Sequence, residues 1–220
     1  MPWAQRPFIW AHDRAREQPT GPEERQDLVS ETELIARACA GDERAFVGLV
    51  DMYQTPVFHL CYRMLGDPAE AEEAAQEAFL RAWSQLARYD RARSFKTWLF
   101  SIASHYCIDL LRKRRVLWLS VDEDDAEVPQ IALQDPAPGP EHEVSRRERA
   151  AQLEALLKQL PPEDRRMVVL RYWNDLSYEE ISAATGSTVS AVKSRLHRAR
   201  EALGRLMGSE TRVARPASVG

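Results

Sequence analysis

The chain has 220 residues, 44% of them hydrophobic and 29% charged, with a formal net charge of −4. That length accommodates one or two domains, and no apolar run approaches the roughly 20 residues needed to span a bilayer. The start, Met1-Pro2-Trp3-Ala4-Gln5-Arg6, turns charged without the apolar core of a secretory leader, so a cytoplasmic location is expected. Cys39, Cys61 and Cys107 are odd in number, far apart and set in apolar helical patterns. They are expected to be buried reduced thiols rather than a disulfide framework or a zinc site.

Residues 1–28 are rich in Pro, Arg, Glu and Gln without periodicity and are expected to be a disordered extension, although Trp3, Phe8, Ile9 and Trp10 are unusual in such a tail. A helical domain is predicted over 29–117. Ser30 with Glu33 forms a capping-box pattern ahead of a helix running to Gly41, and Asp42 restarts the helix with a stripe of Ala45, Phe46, Leu49, Val50 and Tyr53. A further helix is predicted over Val57 to Leu65 and is broken by Gly66. Asp67-Pro68 then supplies an N-cap and a proline at the first helical position. The helix that follows places Ala71, Ala75, Ala78, Ala82 and Leu86 on one stripe, with Gln76, Phe79 and Trp83 beside it and Glu73 and Glu77 farther round. Acids mixed with aromatics suit a protein interface; equally, Phe79 and Trp83 could be core.

Arg88 to Lys96 reads as a polar loop and Thr97 to Arg115 as the last long helix of this domain. Ser94, Phe95, Lys96, Thr97 and Trp98 interleave aromatics with polar and cationic groups, and the helix ends in Arg112-Lys113-Arg114-Arg115. That mixture can hold unstacked bases beside a phosphate backbone. Alternatively Phe95 and Trp98 are core, and the cations answer the helix dipole. Val116 to Val121 is ambiguous between strand and helix. A linker is expected over 118–143, where the stretch from Ser120 to Val144 holds four prolines and many acids but no Lys or Arg.

A second helical domain is predicted over 144–207, followed by a disordered tail over 208–220. Helices resume near Glu143 and run to Leu160, and Pro161-Pro162-Glu163-Asp164 stops one helix and starts the next. Ser177 with Glu180 forms a capping box, Gly186 suits a left-handed turn, and Ser187 can cap a second helix. In that helix Val189, Val192, Leu196, Ala199 and Leu203 face inward, leaving Ser190, Lys193, Ser194, His197 and Arg198 outward. A helix-turn-helix presents its second helix to the DNA major groove in this way; an ordinary helical hairpin is the plainer alternative. The acidic net charge does not oppose DNA binding, because local basic clusters such as Arg112–Arg115 and Lys193–Arg205 decide where phosphate is attracted. The predicted fold is all-α, two small bundles on a flexible acidic tether. With no Gly-rich phosphate loop, no HExxH and no metal-ligand spacing, no enzyme, cofactor or metal is expected.

Gly41-Asp42-Glu43-Arg44-Ala45-Phe46, the segment Ala71 to Trp83, Phe95 to Ala103, Asp109-Leu110-Leu111-Arg112-Lys113 and the helix-turn-helix follow one another in this order. Together they resemble the bacterial RNA polymerase sigma factors of the extracytoplasmic-function type, over roughly Glu33 to Met207. The resemblance implies a promoter-specificity subunit. Glu73, Gln76, Glu77, Phe79 and Trp83 would contact the clamp helices of the polymerase β′ subunit. Ser94, Phe95, Lys96, Thr97 and Trp98, with His105, Arg112, Lys113 and Arg115, would recognise and open the −10 element. Ser190, Lys193, Ser194, His197 and Arg198 would read the −35 element. Core RNA polymerase, promoter DNA and an anti-sigma factor are the implied partners. His105 stands where the family usually has Asn, and imidazole offers a different donor–acceptor set from a carboxamide. Two other functions fit the residues alone: a conventional DNA-binding regulator, or an adaptor that no longer reads DNA.

Overall fold

Ser30 opens the fold: its hydroxyl accepts a hydrogen bond from the Glu33 amide at 3.2 Å and caps α1 (Glu31–Cys39). The computed structural model describes residues 30–121 and 152–213, with side chains as far as Arg115 in the first stretch and Leu206 in the second. The expected extension over 1–28, the linker beyond residue 121 and the end of the 208–220 tail lie outside the described residues.

Asp42 caps α2 (Glu43–Leu65) by accepting from the Arg44 and Ala45 amides, while its second carboxylate oxygen holds the Arg37 guanidinium. The sequence suggested two helices here, parted after Tyr53; α2 instead continues through Pro56. The proline removes one helical hydrogen bond, but Phe46 and Leu49 before it and Val57, Leu60 and Met64 after it are buried in the same core. Shared burial keeps the two halves in one helix. Gly66 ends it at φ +78, a conformation that L side chains rarely adopt. Asp67 then caps α3 (Pro68–Gln85), which closes in a 3-10 turn (Leu86–Arg88).

The next helix, α4 (Phe95–Val121), begins two residues before the predicted start. Ser94 sets the start, its hydroxyl accepting from the Thr97 amide and its carbonyl from the Trp98 amide. The backbone stays helical through Val121, which settles the ambiguous 116–121 segment as helix and carries α4 past the expected domain end at 117. Helices α2, α3 and α4 form the first bundle around Phe46, Phe79, Leu99 and Phe100, with α1 across α2. Cys61 and Cys107 are buried and Cys39 is half-buried, all as free thiols.

The second bundle comprises residues 152–158 (α5), α6 (Pro162–Tyr172), α7 (Tyr178–Thr185) and α8 (Val189–Val213). Pro162 opens α6 as predicted. Leu157, Met167, Leu170, Ile181, Val192, Leu196 and Ala199 form its core. Rather than hanging apart, the two bundles pack together, α6 against α2 and α4, and α7 against α4. Arg165 fastens them. Its guanidinium donates to the carbonyls of Met64, at the end of α2, at 2.6 Å and of Lys158 at 2.6 Å, reaching Leu160 at 3.3 Å. Burial, and secondarily the positive Arg114, lowers its pKa to about 10. A Cβ at Gly66 would meet the outer carbons of the Lys158 side chain, which can move aside, so it is the positive φ that calls for glycine here.

Candidate nucleic-acid interfaces

The turn between α7 and α8 is built as the sequence required, with one change. Ser177 and Glu180 make both bonds of the capping box, at 3.1 and 2.8 Å, and Gly186 ends α7 at φ +66. The cap of α8 is Thr188, not Ser187: the Thr188 hydroxyl accepts from the Ala191 amide at 3.2 Å. The Ser187 carbonyl is taken instead by the Ser182 hydroxyl at 2.5 Å, which locks the turn onto α7.

Along α8, Val192, Leu196 and Ala199 are buried, Val189 and Leu203 half-buried, and Ser190, Lys193, Ser194, His197 and Arg198 are exposed, as their spacing predicts. Two contacts across this bundle were not readable from local pattern. Asp164, only 8% exposed in the first turn of α6, receives Arg195 at 3.0 Å and Arg198 at 3.7 Å. Tyr178 lies under both the Arg171 guanidinium and the Lys193 ammonium, at 5.1 and 5.7 Å from its ring centre. His197 sits 3.4 Å from Glu201.

The second set of candidate residues surrounds the start of α4. Ser94, His105, Arg112, Lys113 and Arg115 are exposed, and Lys96 and Trp98 are half-buried. Phe95, expected on the nucleic-acid face, is 3% exposed and packs against Tyr53, Tyr89 and Trp98 with ring centres 5.5–5.6 Å apart. It belongs to the core, because beginning α4 at residue 95 turns its ring inward. Tyr89 completes this aromatic group, its ring tilted against Trp98 with centres 4.8 Å apart and its hydroxyl donating to the Arg93 carbonyl. Tyr53 hydrogen-bonds Glu31 at 2.6 Å, and burial first, then that carboxylate, pushes its phenol well above the usual range. Thr97 is 6% exposed because α7 lies over it, its hydroxyl donating to Glu180 at 3.2 Å. Arg112 meets Glu163 at 3.1 Å.

On α3 the mixed face divides. Phe79 is 1% exposed and belongs to the core, so the expected aromatic contact surface loses its centre. Trp83 is half-buried against Phe46 at 4.9 Å. Glu73 is exposed; Gln76 and Glu77 are half-buried, with Glu77 paired to Arg81 at 2.7 Å. Leu80, 37% exposed, stands among them.

A basic second helix behind a fully formed capping box and glycine turn, carried by an all-helical pair of bundles, defines a helix-turn-helix DNA-binding protein. Residues 49–116 match sigma-70 region 2 and residues 150–203 match sigma-70 region 4. The chain belongs to the extracytoplasmic-function sigma factors, DNA-binding proteins that direct transcription initiation by RNA polymerase. It is 39% identical over 172 residues to the ECF RNA polymerase sigma factor SigW of Bacillus subtilis (strain 168), which covers 77% of this chain and 92% of that protein. It is 37% identical over 175 residues to the RNA polymerase sigma-H factor of Pseudomonas aeruginosa, covering 78% and 90% respectively. Among solved structures, CnrH in complex with the cytosolic domain of CnrY superposes with a TM-score of 0.61 at 26% identity, over 81% of this chain and 97% of that one. Among the described residues, no helix is long and apolar enough to cross a membrane.

Proposed function

We propose that the region 4 bundle reads the −35 element through Ser190, Lys193, Ser194, His197 and Arg198, and that the region 2 bundle captures and opens the −10 element. The observation that carries this reading is the exposure of those five side chains on one face of α8, beside a capped turn that fixes the angle of the helix. In region 2, Ser94, Lys96, Trp98 and His105 meet unstacked bases, while Arg112, Lys113 and Arg115 run beside phosphates. Stacking of a base on an aromatic ring contributes about 1–3 kcal/mol, so melting by base capture needs no nucleotide hydrolysis. Phe95 holds Trp98 from behind rather than touching DNA. Thr97 joins the surface only where α7 is lifted from it.

Glu73, Gln76, Glu77 and Trp83 form the contact with the polymerase clamp helices, and Phe79 anchors that face from within. Either domain alone binds DNA weakly; holding both on one polymerase raises the effective concentration of the second contact. An anti-sigma factor holds the protein inactive, a regulation supported by membership of the extracytoplasmic-function family. The protein works in the cytoplasm, where polymerase and promoters are.

The test is in vitro transcription with purified bacterial core polymerase on fragmented genomic DNA from the source organism, sequencing the RNA 5′ ends. Discrete start sites sharing −35 and −10 elements, absent without the protein, are expected. Binding to core without initiation would instead indicate an adaptor.

A further inference from the structure

The first turn of α6 carries two adjacent acids whose side chains diverge. Glu163 turns toward Arg166 at 2.6 Å and Arg112 at 3.1 Å. Asp164 turns onto α8, where its Oδ1 accepts from Arg195 at 3.0 Å and lies 3.7 Å from Arg198. Either acid alone would answer the positive end of α6, so the helix dipole does not account for a carboxylate aimed at the helix proposed to read DNA. The two contacts also differ in kind. The first is a hydrogen bond; the second is too long to be one and acts through charge. Arg195, with its side chain 34% exposed, fixes the carboxylate, whereas Arg198, at 61%, is steered without being consumed. We propose that Asp164 is a positioning residue for −35 recognition, drawing the Arg198 guanidinium to one side so that its open edge meets a base. The inference rests on the reading of Arg198 as a −35 contact.

Asp164 is a fixed point from which to steer. Helix α6 packs along α8, and Val168, Val192 and Leu196 are buried in the core they share. The other long side chains on the α8 face are held from within the helix-turn-helix, Lys193 over the Tyr178 ring of α7 and His197 beside Glu201 of α8 itself. Asp164 ties that face to an element outside the motif. An acid on this flank also repels phosphate, and so weakens the part of DNA binding that carries no sequence information. Specificity is a difference between affinities. A carboxylate that keeps Arg198 from the backbone, while leaving it a free edge for a base pair, widens that difference. Arginine suits the division because its planar fork presents donors on more than one edge.

Variants of the full-length chain, in holoenzyme with bacterial core polymerase, test this on a promoter mapped by start-site sequencing, its −35 element randomised. Base preference at each position is the ratio of transcripts within one pool, so partial loss of folded protein cancels. Asp164→Asn keeps an oxygen for Arg195 and removes the charge facing Arg198. Arg198→Ala should flatten preference at one base pair about tenfold, within the range of a bidentate base contact. Asp164→Asn should flatten the same position about threefold, a part of that contact, and added to Arg198→Ala it should change nothing further. The free Asp164→Asn chain should also bind a short random-sequence duplex more tightly than wild type, by anisotropy. A loss of preference as large without Arg198 as with it, or weaker binding to the random duplex, would make Asp164 a support of the fold and overturn its positioning role. Unchanged preference in Asp164→Asn beside a clear loss in Arg198→Ala would overturn that role while leaving Arg198 a −35 contact. Unchanged preference in Arg198→Ala would remove the contact itself, and the inference with it.

Discussion

The two proposed DNA surfaces share Ser, Lys, His and Arg side chains and are presented oppositely. On α8 each candidate stands exposed with its apolar neighbours beneath it. At the head of α4, Phe95 is in the core and Thr97 lies under another helix, leaving Ser94 exposed and Lys96 and Trp98 half-buried. Helical periodicity determines which face of an element points away from its own bundle. It carries no information about a second bundle that comes to lie on that face. The α8 face needed only the first kind of knowledge; the proposed −10 surface on α4 needed both.

The largest effect that separates the two surfaces is expected at Phe95. Removing a buried Phe costs about 3–5 kcal/mol, so Phe95→Ala should lower Tm sharply and reduce transcription equally on duplex and pre-melted templates. A variant with native Tm that failed only on duplex templates would return Phe95 to the DNA face. Next comes Arg165→Met, which should weaken the packing of the two bundles by about 1.5–3 kcal/mol through loss of the charged donor to the Met64 carbonyl. In calorimetry the shared transition should divide into two, one per bundle. A lysine there should not rescue it, since a point charge cannot reproduce the guanidinium fork. An undivided transition at the wild-type temperature would mean that Arg165 does not couple the bundles.

Much of this architecture was legible because the signals were local. Asp42, Asp67 and Ser177 announce helix starts through side chains that reach only two or three residues, and Gly66 and Gly186 announce stops through a backbone conformation that other residues resist. The continuity of α2 was not legible. Pro56 is a local breaker overruled by burial on both sides of it, which is a tertiary fact. Ser187 and Thr188 are adjacent and chemically alike, and local pattern could not choose between them; in the fold Thr188 caps α8 while the Ser187 carbonyl accepts from Ser182. The roles of Arg165 and Glu180 depend on partners 101 and 83 residues away, and a sequence offers no reason to pair them. Phe79 was an open choice between core and interface, and only packing could make it.

Smaller effects are expected on α8, where the side chains project from the fold. Lys193→Ala should leave stability within about 0.5 kcal/mol of wild type. It should lower affinity for a mapped promoter and reduce the slope of log affinity against log salt by about one. A large fall in Tm would mean that its contact with Tyr178 supports the fold and that the exposed-face reading is incomplete.

The finest discrimination concerns acid. The carboxyl of Glu180 is held below its ordinary range, first by the Ser177 backbone amide and then by the Ser177 and Thr97 hydroxyls and the Lys96 charge, with desolvation opposing them. A carboxyl with a depressed folded pKa contributes stabilisation that is complete above its unfolded value and is lost as pH falls through the folded one. The Ser177 bonds belong to α7 itself and survive domain opening; only the Thr97 and Lys96 parts belong to the closed form. Acidification should therefore open the 93–99 segment to amide hydrogen exchange below the ordinary carboxylate range, and Glu180→Gln should remove that part of the pH dependence. Because Glu163 and Glu154 also lie between the bundles, the difference between wild type and variant, rather than either curve, isolates Glu180. Parallel curves would place its whole shift within the capping box and leave the closure to Arg165 and its neighbours.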